Sequence, residues 1–386
     1  MSEVRVNRKA ARRIASGHPW IFESDVLDKG DAEGGAVVTV VDLKSRPLGT
    51  AHYSSSSQIA LRLLSRRVEE ITREFFLKRL AAAEAHRRRV VSGTDAYRLV
   101  HGEGDLLPGL VVDRYADYLT LQTLDQGMDA ARGWIVDCLV ELLSPRGIVA
   151  RNDAAVRKKE LLPLEAGVVY GEVPETVEIH LNGLRLLADL LHGQKTGAFL
   201  DQRENYLAAA RYARGRALDC FTCTGGFALH AAPLCESVEA LDSSGAALAT
   251  AARNAALNGI TNIEFREADI FVVLAAYASA RRQFQTVILD PPAFAKSRST
   301  VESALLGYKE INLRALRLLG PGGILVTCSC SQRVSEATFL EIVAQAALDA
   351  GRELRVLERR TQAADHPILL TVPETHYLKC LILEVL

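Results

Sequence analysis

From about residue 186 onward, short apolar runs alternate with helix-forming stretches, and this β–α rhythm limits the fold more than any other feature. Ala217–Phe221, Val238–Leu241, Ile263–Phe265, Val287–Leu289 and Ile324–Cys328 have strand length and strand composition. Between them Gly225–Ala232, Ser244–Asn258 and Ser303–Leu319 read as helices. Ser243 or Ser244 caps the second helix, Gly259 follows its end, and Gly320-Pro321-Gly322-Gly323 stops the third. Apolar strands separated by helices predict a parallel sheet covered on both faces. Ligands of such sheets bind outside the carboxyl ends of the strands, so the residues closing each strand are the ones to read for chemistry.

The first strand runs into Asp219-Cys220-Phe221-Thr222-Cys223-Thr224-Gly225-Gly226. Glycines at such a turn let the backbone approach a ligand. The G-x-G-x-x-G of a nicotinamide site is absent, and so is the G-x-x-x-x-G-K-[ST] of an ATPase. Asp242 closes the next strand 23 residues after Asp219, where a carboxylate accepts ribose hydroxyls. The pattern points to an adenosine without a polyphosphate. Asp269, after the third strand, has two readings: a helix cap, or a partner for the adenine amino group. The fourth strand ends in Asp290-Pro291-Pro292. Proline fixes the backbone there and holds Asp290 toward the crevice.

The fifth strand leads into Cys328-Ser329-Cys330-Ser331. A cysteine at that edge is a nucleophile or a metal ligand. Cys220-x-x-Cys223 with Cys328-x-Cys330 is one conceivable zinc set, though C-x-C is short for structural zinc. Residues i and i+2 of a strand share a face, so Cys328 is a rival or an assistant to Cys330. Cys138, Cys235, Cys380 and Cys220 read as small apolar core residues. Seven unevenly spaced cysteines do not make a disulfide framework, and a reducing cytoplasm is the expected location. No run of about 18 apolar residues predicts a membrane span, and the charged start MSEVRVNRKAARR is no secretory signal.

The N-terminal part differs in kind. Ala36–Leu43 and Ile59–Leu64 read as strands, the second half-buried. Arg5, Arg8, Lys9, Arg12 and Arg13 have the spacing of one helical face. Residues 71–91 form an amphipathic helix on Ile71, Phe75, Phe76 and Leu80, ending in Arg87-Arg88-Arg89. That triplet reads as a solvated face or as an RNA contact. Residues 97–185 read as α+β, with strands at Leu119–Leu124, Gly147–Ala150 and Val177–Leu181 and a helix near Met128–Leu143. A net charge of −1 hides an imbalance: residues 1–100 hold 18 Lys+Arg against 12 Asp+Glu, and the remainder 28 against 35. A basic N-terminal part suggests an anionic partner. The excess of Arg over Lys, 36 to 10, is what a GC-rich coding sequence produces.

Five further blocks narrow the reading. They are Gly17-His18-Pro19-Trp20-Ile21-Phe22, the series Arg98, His101, Glu103, Asp105, Pro108 and Asp113, and Gln194-Lys195-Thr196-Gly197-x-Phe199-x-Asp201-Gln202-Arg203. Asp290-Pro-Pro-Ala-Phe-Ala-Lys296 and the tail Ala364-Asp365-His366-Pro367 with Glu374-x-His376-Tyr377-Leu378-Lys379 complete them. In this order the blocks look like a class I S-adenosylmethionine-dependent methyltransferase. Over nearly the whole chain they resemble a family of bacterial 23S ribosomal RNA cytosine-C5 methyltransferases.

The resemblance implies an α/β fold in three parts. Residues 1–70 would be a small β-rich PUA RNA-binding domain and 71–185 an α+β linking domain. Residues 186–386 would be a Rossmann-like methyltransferase domain with a mostly parallel seven-stranded sheet. It implies Cys330, the centre of Ser-Cys-Ser, as nucleophile, with Asp290 facing the N3/N4 edge of the cytosine. S-adenosylmethionine would be held by Thr196, Gly197, Phe199, Arg203, Asp219, Phe221, Gly225, Gly226, Asp242, Asp269, Asp290 and Pro291, with no metal. RNA would meet Arg8, Lys9, Arg12, Arg13 and His18. The implied partner is 23S rRNA or a ribosomal precursor particle, with no membrane and with a homodimer left open. The alternatives are a guanine N-methyltransferase of rRNA, which needs no thiol, and a non-catalytic RNA-binding assembly factor, which needs no cofactor site. A nicotinamide-dependent dehydrogenase is disfavoured by the missing glycine pattern.

Overall fold

The computed structural model describes residues 1–193, 196–294 and 301–386. The chain divides into two compact units. The first comprises Met1–His180, Ala188–Ala198 and Ala364–Thr375, and the second Leu181–Leu187, Phe199–Ala363 and His376–Leu386. Ala188–Ala198 and Ala364–Thr375 thus pack with the first unit, although a boundary at residue 186 would give them to the C-terminal part.

Among the described residues the first unit holds a six-stranded and a five-stranded sheet. The six-stranded sheet spans residues 3 to 65 and buries Val4, Ile21, Val38, Val40 and Leu61. Its helix, Arg8–Ala15, is capped by the Asn7 side chain, which accepts from the Ala10 amide. Arg5 lies before that cap in the strand Glu3–Val6, so it is not on the helical face that its spacing suggested. Ile59–Ser65 is not half-buried either. Ala60 to Ser65 are all buried, and the buried Arg62 meets the buried Glu160 carboxylate at 2.8 Å. Pairing is what lets a cation sit there.

The second sheet of this unit has five strands and carries the helices Arg73–Val90 and Arg132–Leu143 on an apolar core that includes Phe76, Leu80, Ile135 and Leu139. Arg87 is 1% exposed. Its guanidinium grips Asp105 with two nitrogens and donates to the carbonyls of Arg98 and Asp365, each at 2.8 Å. Of the Arg87–Arg89 triplet, therefore, only Arg88 and Arg89 face solvent. The central motif is likewise a brace. Arg98 holds Asp113 bidentately at 2.7 and 2.9 Å, and Glu103 accepts from the Trp20 indole at 2.7 Å.

Among the described residues the second unit is built on a seven-stranded sheet. Its strands are β1 (Arg216–Cys220), β2 (Ser237–Asp242), β3 (Ile263–Glu267), β4 (Phe284–Leu289), β5 (Leu319–Ser329), β6 (Leu354–Arg360) and β7 (Lys379–Val385). The order is β3-β2-β1-β4-β5-β7-β6. The first five run parallel, and β7 inserts antiparallel between β5 and β6. Strand order reverses between β1 and β4, which opens the crevice where doubly wound sheets bind ligands. The helix before β5 ends at Arg317. Gly320–Gly323 lies inside the strand, as a bulge between the pairs Phe284–Leu319 and Thr286–Ile324.

Candidate active site

The carboxyl edge of β1, β2 and β3 gathers three of the expected carboxylates. Asp219 is fully buried. Its Oδ2 accepts from the Thr222 hydroxyl at 2.6 Å and the Ala228 amide at 3.0 Å, while Oδ1 has no partner among the described residues. Burial outweighs those bonds and raises its pKa to about 7, with the charges of Asp290 and Asp242 adding to the effect. The loop after β1 places Phe221 (φ 66°), Cys223 (φ 50°) and Gly225 (φ 91°) in the left-handed region. For the two non-glycines this stores roughly 1–3 kcal/mol of strain each, of the kind found at ligand sites. Gly226 serves packing, since a Cβ there would fall on the buried Tyr206 ring.

Asp242 accepts from the amides of Cys223 and Ser244, each at 2.9 Å, so it ties the loop to the end of β2. Two acceptances leave capacity on a carboxylate with about four lone-pair sites. Asp269 caps the next helix through the amides of Phe271 and Val272, which is the first of its two readings. Beside it lies a pocket of about 420 Å³ lined by Phe221, Ser243, Glu267, Asp269, Ile270 and Phe271, among others. Its lining carries two carboxylates, two aromatic rings and no cation. An adenosyl group bearing a sulfonium fits that donor set, and a polyphosphate does not. The unsatisfied, buried Asp219 Oδ1 at the end of β1 is a further acceptor at the same sheet edge.

A second cluster forms where β4 and β5 end. Asp290 follows β4, and its Oδ1 accepts from the buried Gln202 amide at 2.9 Å. Gln202 is oriented by Asn205, which donates to its Oε1 at 2.7 Å and accepts in turn from Arg360. Pro291 is buried, and its carbonyl oxygen lies 3.9 Å from the Cys330 sulfur. Cys330 is half-buried just past the last residue of β5. Cys328, inside β5, is fully buried and hydrogen-bonded to the free Cys380 thiol, and burial pushes its own thiol far up. The strand ends between the two cysteines, so Cys328 sits sealed inside the sheet while the Cys330 thiol is partly accessible. Cys223, in the β1 loop, is the other half-buried thiol. Among the described residues no group of three or more His, Cys, Asp or Glu side chains is placed to hold a metal ion.

Lys379 belongs to this cluster, although its sequence block gave it no role. It pairs with Ser329 in the β5–β7 register. Its ammonium donates to the carbonyls of Ser331 at 2.7 Å and Tyr377 at 2.8 Å. Burial pulls its pKa down to about 8, and the nearby Cys330 sulfur opposes that fall. The buried Tyr308 hydroxyl bonds the Ser331 hydroxyl at 2.9 Å, so both neighbours of the thiol are fixed.

The remaining expected residues divide between the two units. Thr196 and Gly197 pack in the first unit, where the Thr196 hydroxyl donates to Asp113 at 2.5 Å and meets the Tyr115 hydroxyl at 3.1 Å. Gln194, Lys195, Ala295 and Lys296 lie outside the described residues. Phe199 and Arg203 belong to the second unit. The Phe199 carbonyl accepts from Tyr206, and Arg203 is 2% exposed. Of the N-terminal cations, Arg8, Lys9 and Arg12 are exposed. Arg13 is pinned by Asp25 at 2.9 Å and stacks over Phe22 at 4.6 Å. His18 bonds Glu374 at 3.1 Å. Among the described residues no helix is long and apolar enough to cross a membrane.

Comparison with known proteins adds independent findings. Residues 4–66 match a PUA-like domain family, and residues 142–382 match a family of S-adenosylmethionine-dependent methyltransferases. A Tolumonas auensis protein named ribosomal RNA large subunit methyltransferase I is 43% identical over 392 residues, covering 99% of this chain and 98% of that one. A Shewanella amazonensis protein of the same name is 42% identical, with 99% of each covered. A methyltransferase solved with S-adenosylhomocysteine superposes with a TM-score of 0.87 at 20% identity, and a Streptococcus mutans methyltransferase with 0.85 at 21%, both covering 100% of each chain. At such identity the solved structures speak for the fold.

Proposed function

The chain belongs to the S-adenosylmethionine-dependent methyltransferase family, and from that membership we propose that it methylates C5 of a cytosine in large-subunit (23S) ribosomal RNA. Its relatives' shared name supports RNA of the large subunit as substrate. The observation that carries the cytosine reading is the placement of Cys330. Its thiol is partly accessible beside the Asp290–Pro291 turn, while the thiol two residues earlier is sealed in the sheet. A guanine N-methyltransferase would need the turn but no such thiol.

Cytosine C5 is a weak nucleophile. In the proposed reaction the Cys330 thiolate adds to C6, forming a C–S bond and moving the C5=C6 electron pair onto C5. Bound S-adenosylmethionine supplies the electrophilic methyl group that C5 takes. Loss of the C5 proton then restores the double bond and expels the thiolate. Covalent catalysis replaces one hard step with easier ones. Asp290, oriented by Gln202, faces the N3/N4 edge of the base, and the Lys379 ammonium favours the thiolate. Asp219, Asp242 and the strained loop would hold the adenosyl part, and the pocket lined by Phe221 and Asp269 would take the adenine. The target base leaves its stack to reach both groups.

In this proposal residues 1–70 bind RNA, 71–185 link and 186–386 transfer the methyl group, in the cytoplasm. The test is methylation of deproteinised 23S rRNA with labelled cofactor, followed by nucleoside analysis and site mapping. 5-Methylcytosine supports the reading; methylguanine or no incorporation overturns it. The same assay on precursor particles decides between naked and assembled substrate, and solution mass measurement decides whether the chain works as a homodimer.

A further inference from the structure

The first unit holds a pocket of about 530 Å³. A cavity of that size admits a small ligand. Four cations line it: Arg66, Arg67, Lys78 and Arg79. The first three are exposed, and Arg79 is half-buried. None of the four lies within ion-pair distance of a carboxylate among the described residues, whereas the neighbouring Arg62, Arg73 and Arg87 all do. The two carboxylates in the lining are engaged otherwise, Glu69 with the Ser65 hydroxyl and Glu103 with the Trp20 indole. Glu69 offsets Arg79 only at longer range.

Apart from Ser65, the remaining walls are apolar or glycine. The Phe75 ring lies 5.2 Å from the Arg79 guanidinium, which donates to the Leu64 carbonyl and is thereby held in place. Leu106 is 47% exposed although it lines a pocket. Converging like charges repel one another, and an anion relieves that repulsion. A cation-rich rim around an aromatic floor matches a phosphate joined to a flat base.

We infer that this pocket binds one unpaired nucleotide of the RNA substrate, its phosphate against Arg66, Arg67 and Lys78 and its base against Phe75. The inference rests on the ribosomal RNA reading above and adds a binding site distinct from the basic helix Arg8–Ala15. Phosphate contacts of this kind fix the position of an RNA without reading its sequence.

The test uses the full chain and a 23S rRNA fragment that the wild type methylates. Fluorescence anisotropy at several salt concentrations compares wild type with the triple variant R66A/R67A/K78A and with Phe75→Leu. The triple variant is expected to bind at least about tenfold more weakly, with a salt slope smaller by about three. Phe75→Leu is expected to weaken binding by about 5- to 160-fold at an unchanged salt slope, since stacking is worth roughly 1–3 kcal/mol per base. A thiouridine-substituted fragment should crosslink to the peptide carrying Phe75. Cofactor binding by calorimetry reports that each variant is folded, and Lys78→Glu on an exposed helix surface carries the same test if the triple variant is not. Wild-type affinity and slope in the variants overturn the pocket while the ribosomal RNA reading stands. A wild type that methylates no 23S rRNA overturns that reading, and this site with it.

Discussion

The Cys330 sulfur lies 3.9 Å from the carbonyl oxygen of Pro291, which joins the end of β5 to the turn that closes β4. Parallel pairing of these strands brings the two segments together although 39 residues separate them. If this thiol forms the bond to the base, Cys330→Ala should lower turnover by at least about a thousandfold and leave cofactor affinity intact. Cys223→Ala should stay near wild type, and so should Cys328→Ala once its core defect is allowed for. Labelled-methyl incorporation measures all three. Normal turnover in Cys330→Ala would return the guanine reading.

Lys379 supplies the second prediction. Below about pH 8 it is an ammonium, and a cation near a thiol favours the thiolate. Lys379→Gln should therefore move the pH profile of Cys330 alkylation to higher pH, followed by mass spectrometry at that cysteine. A merely structural lysine would change stability and leave the profile where it is. Lys379→Arg should keep the profile near its original position wherever the larger side chain fits.

The sequence displays some of this site and conceals the rest for identifiable reasons. Asp219, Asp242 and Asp290 are legible because each closes an apolar run, and the two prolines after Asp290 stop a strand at the sheet edge. The helix Ile270–Ser279 is concealed because its composition, Ile-Phe-Val-Val-Leu, suits a buried strand as well as a helix. Its one local signal is Asp269, whose side chain caps it. Strand β6 is concealed by its charges, Leu354–Arg360 having an exposed residue at three of seven positions. Arg62, Arg87 and Lys379 are buried against the general rule for cations, and each is held by a partner at least 18 residues distant in sequence. Periodicity carries no information about such partners.

Asp219 makes stability depend on pH in a defined direction. Its folded pKa is raised to about 7, against about 3.9 for an unperturbed Asp. Between those values the folded chain holds a proton that the unfolded chain has lost. The stability tied to the neutral carboxyl is complete below about pH 4 and is lost as pH rises toward about 7. Asp219→Asn keeps an oxygen for Thr222 and Ala228 but cannot ionise. Denaturant unfolding should show its stability relative to wild type rising with pH across that window, by up to about 1.4 kcal/mol per pH unit. A flat difference would mean that Asp219 titrates as it does in the unfolded chain.

Arg87 tests the claim that the basic triplet is partly structural. Arg87→Met removes the fork that satisfies Asp105 and the carbonyls of Arg98 and Asp365. Breaking a buried pair on one side costs roughly 3–5 kcal/mol, since the other charge stays buried. Arg88→Ala loses an exposed pair with Glu84, which is worth at most about 1 kcal/mol. Thermal unfolding should separate the two by well over 5 °C. Equal shifts would place Arg87 on the surface.

The N-terminal helix allows the RNA reading to be divided residue by residue. Arg8 and Arg12 are exposed and four residues apart, hence on one face. Arg13, by contrast, is occupied by Asp25 and Phe22. If the exposed pair touches phosphates, R8A/R12A should weaken rRNA binding and reduce the salt slope by about two, with little change in melting temperature. Arg13→Ala should do the reverse. Among the described residues, Asp25, buried at 2% exposure, would keep side-chain partners only in Asn7 and the more distant Lys9, so the loss falls on stability first. Anisotropy at several salt concentrations, paired with thermal unfolding of the same preparations, reads both quantities. A salt slope that falls for Arg13→Ala and stays constant for R8A/R12A would assign the phosphate contacts to the opposite side of the helix.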